Sequence, residues 1–206
     1  MYKYLTLFFT LLPVLSSFAQ QDSTETFEEK VGRQIFLPSL QIGYIFNQAN
    51  NLTSGIIINT SLEYRVRNNN DIFFRANYDT YNSDYIITPG NALTNVIEGT
   101  ASFTDLLIGS GYRFGDSQYR IYLMAQAGVK LYNFPEFVQE NNTISIVQGQ
   151  RNIFSTRATV GFEYYINEKS AFSLDILQSQ VWRSQDFWID NGSALGFTLG
   201  YITSLY

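Results

Sequence analysis

Three tight polar turns alternate along the chain with four longer connections, and this alternation constrains the fold more than any other feature. The tight turns lie at residues 68–71, 115–118 and 167–170, and the longer connections lie near 48–54, 82–98, 134–151 and 184–193. In an up-and-down barrel every second connection falls on the same rim. The tight turns therefore share one rim and the longer connections share the other, which predicts an all-β, eight-stranded antiparallel up-and-down barrel.

The segments between these connections alternate apolar and polar residues, as expected of strands with two different faces. The second segment shows this best, with Ile56, Ile58 and Leu62 on one face and Glu63 and Arg65 on the other. The segments that alternate less cleanly are the first, fourth and seventh, at about 37–47, 98–114 and 171–183. Most segments exceed the roughly 9–11 residues that a tilted strand needs to cross the hydrocarbon layer, so the barrel is predicted to be transmembrane.

Alternation alone also fits a soluble barrel with an apolar interior, and three features favour the membrane barrel. Aromatic residues of the apolar face flank the tight turns, as in the aromatic girdles at membrane interfaces. These residues are Tyr64, Phe74, Phe114, Tyr119, Tyr164 and Phe172. The last strand is expected to close the barrel without a soluble tail. The polar face carries small residues and charges of both signs, which can pair inside a narrow lumen.

The N-terminus has the pattern of a secretory signal. Lys3 precedes the apolar stretch 5–15, and the small-x-small pattern at 17–19 suits a signal peptidase. An uncleaved anchor is the alternative. Residues 20–36 are polar and partly acidic, and we expect them to form a periplasmic lead-in, as a short helix or as a plug in the barrel mouth. The predicted division is 1–19 for the signal peptide, 20–36 for the lead-in and 37–206 for the barrel.

Composition excludes several kinds of chemistry. The chain has no cysteine and no histidine, which removes disulfides, thiol catalysis, thiolate metal sites, the usual proton shuttle and the Ser–His–Asp triad. Its 13 basic and 18 acidic residues form no basic cluster, so nucleic acid is not an expected partner. We therefore predict no catalytic residues, no cofactor and no metal, with an enzyme that uses only aspartates or a Ser–Lys pair as the alternative.

The predicted inner face holds ionisable residues of both signs. The acids are Glu63, Asp79, Asp105, Glu163 and Asp175, and the bases are Arg65, Arg67, Arg75, Arg113, Arg120, Lys130 and Arg157. An eight-stranded barrel is just wide enough to be filled by side chains, and a buried charge without a partner is costly. The sequence therefore predicts a structural salt-bridge network that plugs the lumen. A gated narrow path for an ion or small solute is the alternative.

Two of the longer connections contain strand-like segments of their own. Residues 85–88 and 92–96 flank a Pro89-Gly90 turn, and residues 143–147 look similar. We expect these hairpins to extend strands three to six beyond the membrane. The fourth long connection begins near Trp182, which we assign to the outer aromatic girdle.

The signal ending at Phe18-Ala19-Gln20, the eight amphipathic strands and the aromatic C-terminus resemble a small bacterial outer-membrane barrel of the kind common in Bacteroidetes. The architecture is similar to that of the OmpX, OmpA-barrel and OmpW-like group. This resemblance implies location in the outer membrane, contact with its lipid and insertion by the barrel-assembly machinery. One departure concerns Tyr206, which is out of phase with Leu199 and Tyr201. Either a bulge shifts the register near residues 203–204, or the recognition signal is read differently.

Three functions remain open at this stage. The first is a non-enzymatic envelope protein, which acts as a scaffold or through its outer hairpins in adhesion or in docking an envelope or surface protein. The second is a narrow channel or transporter for a small solute. The third is a secreted, soluble ligand-binding barrel.

Overall fold

The computed structural model describes residues 35–66, 69–87, 97–115, 118–140, 143–167, 169–182 and 192–204. The predicted signal peptide and nearly all of the predicted lead-in lie outside these ranges, as do Arg67, the Pro89-Gly90 turn and Tyr206. No helix within them is long and apolar enough to cross a membrane.

Eight antiparallel strands form a closed barrel in which each strand pairs with the next and the last pairs with the first. They are β1 (Ile35–Asn47), β2 (Gly55–Val66), β3 (Asn69–Ile87), β4 (Ile97–Gly115), β5 (Tyr119–Glu140), β6 (Thr143–Asn167), β7 (Ser170–Val181) and β8 (Ser193–Ser204). The predicted all-β, up-and-down barrel of eight strands is therefore confirmed. Closure leaves neither β1 nor β8 as a free edge inside the barrel wall.

The two faces of the wall are those that the sequence predicts. In β2 buried and exposed residues alternate from Gly55 to Tyr64. The apolar positions point outward, and the exposed fractions of Ile58 and Val160 are 39% and 49%. The alternation is less clean in β4 because its inner face includes Phe103 and Leu107, which are buried in the lumen. Apolar residues thus occur on both faces of that strand.

A register shift in β1 adds one residue relative to both neighbouring strands. It lies between Pro38 and Gln41, and beyond it Gln41 points into the lumen. A bulge of this kind bends a strand and re-aims its side chains. The bulge suggested near residues 203–204 is not found, because β8 pairs with β7 without a shift from Ser193 to Thr203.

At the end of the barrel that carries the long connections, the strands extend to different heights. Pairing of β3 with β4 continues to Ile87 and Ile97, and pairing of β5 with β6 continues to Glu140 and Thr143. The predicted loops at 82–98 and 134–151 are therefore too long, because residues 82–87 and 97–98 of the first and nearly all residues of the second belong to strands. The pairing extends strands three to six as predicted, whereas residues 92–96 lie outside the described ranges and the position of these hairpins beyond the membrane stays a prediction.

Arginine at an outward position in the middle of the wall should destabilise the barrel. We expect Ile58→Arg and Val160→Arg each to lower the free energy of unfolding by about 2–4 kcal/mol, because a charge there would meet the bilayer midplane of a transmembrane barrel. Ile72→Arg, close to a tight turn, is the control and should cost about 0–1 kcal/mol. Urea titrations in lipid vesicles measure these values. Equal costs at the three positions would contradict the assigned membrane depth.

Candidate functional site

The lumen buries as many acidic as basic side chains. Ten charged residues are buried there: Glu63, Asp79, Asp105, Glu163, Asp175, Arg65, Arg75, Arg113, Lys130 and Arg157. Twelve charged residues were predicted on this face. Of the other two, Arg120 is half-buried at the rim of the tight turns, and Arg67 lies outside the described residues. Equal numbers of the two signs let every buried charge meet an opposite one.

Glu63 is the centre of the cluster nearest the tight turns. Its carboxylate accepts hydrogen bonds from Arg65 Nε at 2.7 Å, Arg75 Nη2 at 2.7 Å and Arg113 Nη2 at 2.7 Å. Arg75 is the direct cross-strand partner of Glu63, and Arg65 follows two residues later on the same face of β2. Arg113 also binds Glu163 through Nη2 at 2.9 Å. One guanidinium thus joins carboxylates from β2 and β6.

Tyr122 extends this cluster across the lumen to β7. Its hydroxyl accepts a hydrogen bond from Arg75 Nη1 at 2.8 Å and donates one to Asp175 Oδ1 at 2.5 Å. Gln41 Nε2 donates to Ser173 Oγ at 2.8 Å and connects β1 to the same group. The ring of Tyr122 has room because its cross-strand neighbour is Gly161, where a Cβ would lie 2.1 Å from the ring.

A second cluster lies closer to the long connections. Asp79, Asp105 and Lys130 are cross-strand neighbours on β3, β4 and β5. Asp105 Oδ2 lies 2.9 Å from Lys130 Nζ and 2.9 Å from Arg157 Nη2, and the other guanidinium nitrogen, Arg157 Nη1, binds Asp79. Two carboxylates on neighbouring strands repel each other, so this position requires both cations.

Polar and aromatic layers separate and cover the two clusters. Between them, Gln126 Nε2 donates to Asn77 Oδ1 at 2.8 Å. Above the second cluster, the ring of Tyr81 stacks on Phe103 with centroids 4.7 Å apart, and Tyr132 follows at 6.0 Å. Lys130 Nζ donates to Tyr81 Oη at 2.9 Å. The lumen is thus charged in its lower and middle parts and aromatic towards the long connections.

Three aromatic residues that were not predicted as part of the site contact the network. Phe73 lies under Arg113 with 4.0 Å between guanidinium carbon and ring centroid, Tyr165 donates to Glu163 at 2.7 Å, and Tyr81 binds Lys130. A cation removed from water gains from an aromatic face. Each ring lies two residues from a charge that was predicted to face the lumen. Because alternate residues of a strand share a face, this spacing indicated that the rings also face the lumen. It was overlooked because aromatic residues were expected on the outer face.

Each of the five buried carboxylates contacts at least one cation, which suits packing and neutralisation. Asp175, the least tightly paired, lies 3.6 Å from Arg75 and has Tyr122 as a hydrogen-bond donor. Within the described ranges, no three acidic residues are grouped as a metal site would require. The ion pairs can hold β2 to β7 together through their inner faces, and Gln41 joins β1 to this group.

No protein-family model and no curated protein matches the sequence. Among solved structures, Neisserial surface protein A (NspA) has a TM-score of 0.57 and 12% identity, with 83% of this chain and 97% of that chain covered. Ail, the attachment invasion locus protein of Yersinia pestis, solved in complex with the heparin analogue sucrose octasulfate, has 14% identity and a TM-score of 0.47, covering 83% and 98%. The N-terminal β-barrel domain of Pseudomonas aeruginosa OprF has 15% identity and a TM-score of 0.45, covering 83% and 98%.

The likeness to Neisserial surface protein A shows a shared fold. The match covers nearly the whole of that chain, and the strands of this protein form the same kind of closed barrel. The expectation that this chain has the architecture of a small bacterial outer-membrane barrel is therefore confirmed at the level of the fold.

Removal of a buried cation should destabilise the barrel far more than removal of an exposed one on the same strand. Arg157→Ala leaves Asp79 without its bound cation, so we expect a loss of about 3–5 kcal/mol in the free energy of unfolding. Arg151→Ala, at an exposed position of β6, should change it by less than about 0.5 kcal/mol. Urea unfolding in vesicles measures both. Similar losses would contradict a structural role for the Arg157 pairs.

Proposed function

We propose that this protein is a non-enzymatic barrel of the bacterial outer membrane that works as a rigid scaffold for its two long hairpins. The hairpins, β3–β4 and β5–β6, would contact an envelope or surface protein in docking or adhesion. The observation that carries this proposal is the height of the β5–β6 hairpin above the neighbouring strands. The membrane placement, the filled lumen and the hairpin edges support it in turn.

The membrane placement is supported by the inversion of polarity between the two faces. Large apolar side chains are exposed around the outer wall, among them Ile108, Phe154, Ile176 and Leu199, while the charges point inward. In water, this surface would far exceed the few hundred Å² of contiguous apolar area that soluble monomers usually expose. Lipid of the outer membrane would cover it, and insertion would require the barrel-assembly machinery.

The orientation of the barrel in the membrane is supported by its tight turns and by the aromatic residues near them. On the outer wall, Tyr119 contacts Tyr164 with ring centroids 5.2 Å apart, and Phe172 contacts Tyr201 at 5.7 Å. Amphipathic rings favour the level of the lipid headgroups. The tight turns would thus lie at a membrane interface, and because they are short while the other connections are long, we assign this interface to the periplasmic side, with the long hairpins facing outward.

The lumen supports a scaffold rather than a conduit. Solute passage would require the Glu63 cluster, the Asp105 cluster and the aromatic layer to separate in turn. Each buried pair that opened would leave a charge without its partner, which is strongly unfavourable. The soluble alternative would leave the apolar outer wall in water. The conduit would therefore require buried ion pairs to open, and the soluble barrel would require an apolar surface in water. The scaffold function requires neither.

The β5–β6 hairpin offers backbone edges above the barrel wall. Pairing of β6 with β7 begins only at Ser155 and Val181, and pairing of β4 with β5 ends at Ser102 and Asn133. Above these pairs, the outer edges of the hairpin have no partner strand among the described residues. Exposed edges of this kind pair with an extended segment of another protein.

A variant shortened in this hairpin should lose its protein partner without losing its fold. We expect deletion of residues 136–147 to abolish cross-linked partner bands in living cells, because the unpaired outer edges of the hairpin are removed. A Gly-Ser insertion between residues 116 and 117, on the opposite rim, is the control. Mass spectrometry after cross-linking identifies the partners, and heat-modifiable migration reports folding.

The proposal fails if the shortened barrel retains the same partners as the full-length protein. It also fails if the intact protein cross-links to nothing but copies of itself and lipid.

A further inference from the structure

A recess lies in the lumen at the end that carries the long connections. One side of it is the aromatic layer of Tyr81, Phe103 and Tyr132, which are successive cross-strand neighbours on β3, β4 and β5. The opposite side is formed by the ends of β7, β8 and β1, where Val181 and Ala194 line the empty space. Because β3 to β6 continue beyond the ends of these strands, the barrel wall is high behind the rings and low opposite them.

The recess has the size and the lining of a pocket for a small molecule. Its empty volume is about 340 Å³ with the part open to solvent included. This value is near the lower limit for ligand pockets, which have mainly apolar and aromatic walls and often lie in the mouths of β-barrels. The recess therefore suits a molecule with a single ring and short substituents.

A buried hydroxyl on the wall of the recess lacks a hydrogen-bond partner. Ser179 is 1% exposed, and its Oγ has no partner in the described part of the chain. Buried hydroxyls are normally paired, because an unpaired one loses the hydrogen bonds that it made to water. Ser155, on the neighbouring strand β6, is equally shielded and also has no partner among the described residues, but it lies outside the lining of the recess. Ser179 is therefore the hydroxyl that a molecule in the recess can satisfy.

Lys130 provides a second donor in the same recess. An ammonium group has three N–H donors, and two of those of Lys130 are directed to Asp105 Oδ2 and Tyr81 Oη, each at 2.9 Å. The charge of Lys130 is already balanced, because the cluster to which it belongs contains two cations and two carboxylates. A charged ligand would enter without a counterion, which is costly away from water. An uncharged acceptor oxygen suits both donors.

We propose that this recess binds a small, uncharged molecule that carries one aromatic ring and an acceptor oxygen. The ring packs against the aromatic layer, and the oxygen accepts a hydrogen bond from Ser179, with Lys130 as a second donor. Water can pair with the same donors but leaves the aromatic surface exposed to solvent, so its replacement by a ring is favourable. The inference goes beyond the proposed function and uses none of the hairpin edges.

Titration with acetophenone, followed by amide NMR of the folded protein in detergent micelles, measures this binding. We expect the amide signals of Tyr81, Lys130 and Ser179 to shift until they saturate, with one dissociation constant for the three. The amide of Leu123, whose side chain is exposed on the outer face, reports compound that dissolves in the micelle. Its signal should shift in proportion to concentration without saturating.

Substitution of the unpaired serine separates a specific site from an apolar cavity. Ser179→Ala should weaken acetophenone binding about three- to tenfold, which is the effect of one lost hydrogen bond. It should leave the binding of ethylbenzene unchanged, because ethylbenzene has a similar shape and no oxygen. Ser155→Ala removes the equally shielded hydroxyl on β6 and should change neither affinity. Ala194→Leu fills the recess and should abolish the binding of both compounds.

The proposal is overturned if the shifts of the three amides do not saturate, or if Ser179→Ala weakens acetophenone binding no more than Ser155→Ala does. Saturable shifts that persist in Ala194→Leu would place the compound elsewhere. Tighter binding of benzoate than of acetophenone would contradict an uncharged ligand.

Discussion

A charge enclosed by eight strands must meet an opposite charge, and this requirement governs the inner half of the barrel. The lumen is too narrow for bulk water to solvate ten ionised groups. Five carboxylates and five cations therefore bind one another, with Glu63 holding Arg65, Arg75 and Arg113, and Arg157 joining two aspartates. These contacts join the strands through their inner faces, where a soluble protein would have an apolar core.

The apolar character of the outer face is a consequence of the charged inner face. Since the strand period places neighbouring residues on opposite faces, a charged inner row leaves the alternate positions for apolar contact. Residues such as Ile58, Leu123 and Phe197 then lie exposed on the outside, where contact with lipid would stabilise them. In a bilayer the backbone must also be fully paired, which closure of β8 onto β1 achieves. The hairpins can therefore vary in the height to which they extend above the barrel wall.

Period and turn spacing made most of the fold predictable. The alternation in β2, β5 and β6 assigned faces that the burial of their residues confirms, and the tight turns set the strand number. The loop lengths were wrong because polar residues within 82–98 and 134–151 concealed continuing strand pairs. The bulge in β1 was missed because an extra residue on one strand leaves no sign in composition.

The sequence predicted which residues of the site face the lumen, but it did not predict which residues they contact. Strand parity placed Glu63 and Arg75 on the inner face, and their direct pairing follows from the short turn between β2 and β3. The contact between Tyr122 and Asp175 crosses the lumen between strands that are not neighbours, so no sequence spacing encodes it. It depends on barrel closure and on the missing side chain at Gly161. Contacts across the lumen are thus properties of the closed barrel.

The most direct test of this account is the environment of outward-facing residues in a bilayer. Spin labels introduced singly at Leu123 and Phe197 of the cysteine-free chain report collisions with oxygen, which is concentrated in lipid, and with a water-soluble nickel complex. The account predicts frequent collisions with oxygen and rare collisions with nickel at both positions. Labels that are shielded from both reagents, as inside an enclosed cavity, or that collide freely with nickel would contradict it.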